Sequence, residues 1–286
     1  MKFFVLGCNG MAGHLISLYL KEQGYDVTGF ARSKSKLLNK TVVGDARDLN
    51  LLEKTIKNGH YDSIINCIGL LNKFAENDHE AAVFLNSYLP HFLAKVTADT
   101  FTQVIQMSTD CVFSGAKGGY TEDSLPDGTL FYDQSKALGE LNDNKNVTLR
   151  NSIVGPDINQ SGIGLINWFL QQHDKVKGYK NAIWTGQTTL QLAKTMEKAA
   201  IQRVHGLYNM VPEYSISKYE MLSLFNKYLR SDPIDIIPEA KFKIDKSLVR
   251  TRFEGFKYKI PDYETQIKEL GDWMRNHKNL YPQYNL

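Results

Sequence analysis

Apolar strand runs that alternate with amphipathic helices constrain this chain more than any other feature of its sequence. KFFVL (2–6) is apolar after its first residue and is broken at once by glycines, so it reads as a short buried strand. HLISLYLKEQG follows, with Leu15, Ile16, Leu18, Tyr19 and Leu20 on a helix that stops near Gly24. The same alternation continues through DVTGFA (26–31), TVVGD (41–45), DSIINCIG (62–69), TQVIQMS (102–108) and VTLR (147–150), all read as strands. LNLLEKTIKNG, the long EAAVFLNSYLPHFLAKVTAD interrupted by Pro90, and DQSKALGEL read as the intervening helices. Strands buried on both faces lose the in-out alternation of a half-exposed sheet, so this pattern predicts a parallel sheet with helices on both sides.

The expected class is therefore α/β, a doubly wound parallel sheet with a smaller mixed α/β lobe. Residues 1–155 plus about 180–211 are expected to form the dinucleotide-binding domain, and about 156–179 plus 212–286 the second lobe. In the back half, GIGLINWFLQQ, SKYEMLSLFNKYL and PDYETQIKELGDWMRNH read as helices and GLYNMV (206–211) as a strand. The net charge of +3 comes from 34 basic and 31 acidic residues scattered along the chain. No basic block tracks a phosphate backbone, so no nucleic-acid partner is expected. The apolar runs IINCIGLL and IGLINWFL fall short of the ~18 residues a membrane span needs. MKFFVLGCNGMAG breaks into glycines too early for a signal peptide. Three cysteines with no CxxC suit a reducing cytoplasm, and seven dispersed histidines show no metal-ligand spacing, so no metal is expected.

Gly7, Gly10 and Gly13 stand at GxxGxxG spacing between the first strand and the first helix. Glycine there lets backbone approach a pyrophosphate held at a helix N-terminus, with Asn9 and Met11 in the same turn; the bland alternative is a tight turn with no ligand. A site selecting NAD usually carries an acid at the end of the second strand, but this chain has Ala31-Arg32-Ser33-Lys34. Arg32 and Ser33 suit a 2′-phosphate, so NADPH is expected ahead of NADH, unless the loop is simply solvated. Asp45, followed by Ala46, is either an acceptor for the adenine amino group or a helix N-cap. Asn66, Cys67, Ile68 and Gly69 follow the fourth strand and should face the cofactor's middle. Cys8, Cys67 and Cys111 are read as small buried residues without a redox role.

The fifth strand ends in MSTDCVFSG, which delivers Ser108 and Thr109 to the crevice beyond the strands' carboxyl ends. The next helix sets Tyr132 four residues before Lys136, on one face. Alone that pair is weak. With the glycine turn and Ser108-Thr109 in order, it supplies what a carbonyl reductase needs: a proton donor, a cation that eases its deprotonation, and a second donor for the carbonyl oxygen.

GCNGMAG, STDCVF, YDQSKALGE, LRNSIVG, ISKYEML and IPDYETQIKEL together resemble the dTDP-4-dehydrorhamnose reductases, and more broadly the extended short-chain dehydrogenase/reductases acting on nucleotide-linked 4-keto-6-deoxy sugars. The resemblance covers nearly the whole chain and implies a Rossmann-type NADP-binding domain. It implies Thr109, Tyr132 and Lys136 as the catalytic set, with Asn86 of FLNSYLP in a structural, relay or cofactor-side place. The back lobe is expected to grip the nucleotide, with Arg150, Asn151, Trp168 and Trp184 as candidates beside Asp110 and Val112 for the nucleotide-sugar substrate, and Trp168 reads equally well as core. Ile153 and Val154 stand where rhamnose reductases carry an aromatic pair, Cys111 replaces a tyrosine, and KNAIWTGQTT replaces an FGSPT-like stretch. Those departures lie near the sugar pocket, so a UDP-linked 2-acetamido-4-keto-6-deoxy sugar is the rival substrate. A non-catalytic NADP-binding regulatory subunit is the rival class. Base, sugar and stereochemistry stay open, as does assembly, with a homodimer the partner considered.

Overall fold

The computed structural model describes residues 1–286. Seven parallel strands form the central sheet: β1 (Lys2–Leu6), β2 (Asp26–Ala31), β3 (Lys40–Val43), β4 (Ser63–Asn66), β5 (Gln103–Ser108), β6 (Val147–Arg150) and β10 (Gly206–Asn209). Their order, β10-β6-β5-β4-β1-β2-β3, runs outward from β1 in one direction and restarts at β4 in the other. The switch opens a crevice at the carboxyl ends of β1 and β4, where such sheets hold ligands. The doubly wound architecture is the one expected.

Period-two alternation along β1 shows how both faces are covered. Phe3 and Val5 enter the large core shared with α1 (Met11–Glu22) and α8 (Thr189–Gln202). Phe4 and Leu6 enter a second core with Leu52 and Ile56 of α2 (Leu49–Gly59) and Leu89 and Leu93 of α5 (Leu89–Val96). The helix expected across Pro90 is more articulated than its sequence suggests. Short α3 (Asn72–Asn77) and α4 (His79–Ala82) lead into a π-helical segment, Val83–Tyr88, before α5. Proline lacks an N–H and its ring crowds the carbonyl four residues back, here Asn86, which accounts for a widened turn at that point. The bared Asn86 carbonyl lies 1.8 Å from where a Cβ on Gly139 would stand, so only glycine lets the end of α6 (Phe131–Leu138) settle there.

Beyond β6, β7 (Ser152–Val154) pairs in parallel with β9 (Gly186–Thr188), and α7 (Leu165–Leu170) lies between them in sequence. The small lobe is a three-stranded sheet in the order β11-β8-β12, from β8 (Val176–Trp184), β11 (Ile216–Ser217) and β12 (Ile236–Asp245). β8 and β12 run parallel, joined through α9 (Lys218–Tyr228). The expected domain change near residue 180 thus falls inside β8, which pairs wholly within the small sheet. α10 (Tyr263–Asn276) packs on α9 and also on α8 and β9. No helix is long and apolar enough to cross a membrane.

Candidate active site

Gly7 takes a positive φ of 78°, and a Cβ there would sit 3.2 Å from the Cys67 backbone. A Cβ on Gly13 would lie 2.1 Å from the Gly7 carbonyl oxygen, so the start of α1 nests directly on the turn because both positions are glycine. Gly10 caps α1 without a side-chain acceptor, and the first turn carries no acid. The free first-turn amides and the positive helix end are left for an anion. Asn9 Nδ2 donates to the Ser33 carbonyl at 2.9 Å and to its hydroxyl at 3.3 Å, fastening the turn to the loop after β2. In that loop Arg32 and Lys34 are exposed and belong to no ion pair. Asp45 accepts from the Arg47 amide at 2.9 Å, while the N-cap of α2 is Asp48, so the capping alternative for Asp45 is withdrawn. Ala46 is buried in the second core, which takes its methyl away from any ligand.

The turn opens onto a cleft of about 400 Å³ floored by Cys67–Gly69 and Met107–Cys111, with Tyr132 and Lys136 on α6. Lys136 is buried and its Nζ donates to the Met107 carbonyl at 2.7 Å rather than to the phenol. Burial pulls its ammonium down to about 8, against the pull of Glu140 and Cys67 toward the charged form. Burial lifts the Tyr132 phenol above the ordinary tyrosine range, and the Thr109 hydroxyl beside it works the other way. Thr109 Oγ1 accepts from the Cys111 amide and donates to Asp110 Oδ1, both at 3.1 Å. The Asp110 carboxyl is raised by burial, while Lys218 and Lys246 favour its charge. All three cysteines are free thiols pushed up by burial: Cys8 to about 11, Cys67 and Cys111 to about 12.

Several expected ligand contacts turn out to be framework. Asn86 is fully buried; its Oδ1 accepts from the Leu70 amide at 2.8 Å, and its Nδ2 donates to the Leu70 carbonyl and the Ser135 hydroxyl at 3.0 Å each. It pins the loop after β4 to α6, with both side-chain polar atoms bonded within the protein. Arg150, expected near the sugar, is instead buried in a pair with Glu140, its Nε at 2.9 Å and Nη2 at 2.6 Å from the two carboxylate oxygens. The Ser108 hydroxyl also donates to Glu140, at 2.6 Å, so its side chain looks inward while its backbone lines the cleft. Val112 lies in a buried cluster with Phe113 and Tyr120. Trp184 is buried against Tyr263, and Trp168, half-exposed on α7, does not line the cleft. Asp110 and Asn151 do line it, and the buried Asn151 Oδ1 has no hydrogen-bond partner.

Two residues went unremarked in the sequence. Lys218, half-buried at the start of α9, holds its Nζ 5.1 Å from the Trp184 ring centre and within electrostatic reach of Asp110; burial brings its ammonium down to about 8. Lys246, just after β12, acts on Asp110, Cys111 and Asp133. A signal for Lys218 was present. SKYE is a capping box, with Ser217 and Glu220 exchanging bonds of 3.1 and 2.8 Å, which sets a lysine at a helix N-terminus where the dipole disfavours a cation. A local rule broken in that way points to another role.

The groove suits a dinucleotide phosphate: a glycine turn on which the helix start nests directly, an uncapped helix start, and unpaired cations after β2. Among curated proteins the chain is similar to the probable low-salt glycan biosynthesis reductase Agl14 of Haloferax volcanii, 32% identical over 143 residues, 49% of this chain and 48% of that protein. It is also similar to the methionine adenosyltransferase 2 subunit beta of Xenopus laevis, 28% identical over 145 residues, 49% of this chain and 41% of that one. The chain thus spans about half the length of the curated relatives it matches. The fold matches the crystal structure of a dTDP-4-dehydrorhamnose reductase from Bacillus anthracis in complex with NADP, with a TM-score of 0.78 at 20% identity, covering 94% of this chain and 98% of that one. The model of the RmlD substrate binding domain matches residues 1–259, and the chain belongs to that family.

Proposed function

We propose that the protein is a cytoplasmic NADPH-dependent reductase of the 4-keto group of a nucleotide-linked 6-deoxyhexose, supplying a precursor of cell-surface polysaccharide. The observation that carries this reading is the meeting of Thr109, Tyr132 and Lys136 in one cleft with the open glycine turn. When bound, the dinucleotide would supply hydride to the sugar's C4. Tyr132 gives its proton to the carbonyl oxygen as that oxygen gains charge; a phenol held above the ordinary tyrosine range is protonated and ready at neutral pH. Lys136, with its ammonium at about 8, is mostly charged there and favours the phenolate that is left behind. Thr109, whose hydroxyl hydrogen would turn from Asp110 Oδ1 to the substrate, donates to the same carbonyl oxygen. The Met11–Gly13 amides would hold the pyrophosphate and Arg32 the 2′-phosphate.

On the substrate side, Asp110 and the unpartnered Asn151 Oδ1 are acceptors for sugar hydroxyls. Lys218 and Lys246 bring positive charge from the small lobe toward Asp110, which suits the substrate's diphosphate. The test is purified protein with NADPH and a panel of dTDP-, UDP-, GDP- and CDP-linked 4-keto-6-deoxy sugars, including the 2-acetamido UDP form, followed by loss of nicotinamide absorbance. Turnover of one panel member is expected. NADPH binding without turnover of any would overturn the reading and favour a regulatory subunit.

A further inference from the structure

The residues after α10 return to the front of the molecule and fasten both walls of the nucleotide groove. His14, in the first turn of α1, is fully buried. Its Nδ1 lies 3.1 Å from the Gly10 carbonyl, which can only accept, so the neutral ring carries its hydrogen on Nδ1. Nε2 is then the acceptor for the Tyr281 hydroxyl at 2.9 Å. Gly10 is the residue on which α1 starts, so Tyr281 acts through His14 on the turn itself. Tyr284 stacks on Tyr281 with ring centres 6.0 Å apart. Its hydroxyl accepts from the Asp157 amide at 3.0 Å and donates to Asn167 Oδ1 at 2.7 Å, while Gln283 donates to the Asp157 carbonyl at 2.6 Å. Asn167 in turn donates to the carbonyls of Gln160 and Gly162. The loop laced in this way, 156–164, brings Ile163 and Gly164 to the cleft opposite Met11, so close that a Cβ on Gly164 would lie 2.9 Å from the Met11 sulfur.

We infer that Tyr281 and Tyr284 are positioning residues for dinucleotide binding: one short segment holds the helix-start amides and the facing loop at a fixed separation. Neither tyrosine lines the cleft. Their effect is to order a loop that would otherwise be ordered at the expense of ligand affinity. The inference rests on the groove being the dinucleotide site, and wild-type binding of NADPH tests that separately.

The variants are Tyr281→Phe and Tyr284→Phe, which keep the rings and remove the hydroxyls, and Gln283→Ala, which removes a single bond at the rim. The measurements are the NADPH dissociation constant by nicotinamide fluorescence, the KM against kcat split, and hydrogen exchange of 156–164. Each Tyr→Phe change should raise Kd and KM for NADPH about fivefold to tenfold, the worth of one or two hydrogen bonds, with kcat at saturation moved much less. Tyr284→Phe and Gln283→Ala should speed exchange at 156–164, with Gln283→Ala weakening NADPH in the same direction by less. Wild-type binding with Kd unmoved within twofold in the variants would overturn the positioning role, even if their Tm fell. A wild type that binds neither NADPH nor NADH would overturn the groove reading and this inference with it.

Discussion

Replacing Arg150 with Met separates a buried strut from a substrate-binding residue. The side chains of Arg150 and Glu140 are 2% and 8% exposed, and their closest approach is 2.6 Å. The guanidinium also lies 5.0 Å from the centre of the Phe113 ring. Met fills much of the same space but leaves the Glu140 carboxylate buried with only the Ser108 hydroxyl as a side-chain partner. Breaking a buried pair from one side costs about 3–5 kcal/mol, because the remaining carboxylate loses its hydrogen-bonded counterion and keeps only the Lys136 ammonium within electrostatic reach. For a chain of this size that lowers Tm by roughly 10 °C. Urea and thermal unfolding measure the loss, and steady-state kinetics on the folded fraction measure the site. Arg150→Met combined with Glu140→Gln should lose less than the sum of the single changes, since no lone charge stays behind. Stability within about 1 kcal/mol of wild type, together with a tenfold rise in KM for the sugar nucleotide, would refute the reasoning.

Tyr132→Phe should retain NADPH affinity and lose turnover by ~10²–10⁴-fold; near wild-type rates would remove Tyr132 from its role. Lys136 and Lys218 both fall from the lysine value of 10.5 to about 8 on folding, which sets opposite pH trends for rate and stability. Below pH 8 the folded state carries the full cost of two buried charges. Between about pH 8 and 10.5 the unfolded chain binds more protons, so their contribution to stability rises with pH, while turnover falls as Lys136 loses its charge. Lys136→Met should flatten the basic limb of kcat and weaken NADPH; Lys218→Met should keep that limb and raise KM for the sugar nucleotide. Arg32→Ala should erode a preference for NADPH over NADH of about tenfold or more by weakening NADPH alone. Equal efficiency with both cofactors in the wild type would leave Arg32 as a solvated arginine.

Where a feature is local in the chain, its sequence was enough to read it. β2 and β6 run over the residues their apolar runs marked, and the glycine turn and Tyr132–Lys136 depend on neighbours a few residues away. β8 escaped because Lys177, Tyr179 and Lys180 leave it half-exposed, and β12, mostly exposed and carrying Pro238, looks like coil. α8 was hidden by polar residues that are buried only through distant partners: Gln191 on Tyr258, and Glu197 on Tyr19 and Tyr25. Arg150 was misjudged for a related reason. A charged residue at the end of a strand suggests a ligand until the carboxylate that neutralises it, ten residues earlier in the loop after α6, is in view. Tyr281 and Tyr284 gave no sequence signal at all, since their partners lie more than a hundred residues away.

The most direct test of the reductase claim follows the hydride. NADPH carrying deuterium at the transferable position of nicotinamide C4 would be incubated with the protein and its 4-keto sugar nucleotide, and the product read by NMR. The account predicts one deuterium, at C4 of the sugar, and loss of that label transfer in Tyr132→Phe. Deuterium at any other carbon, or transfer undiminished in Tyr132→Phe, would contradict it.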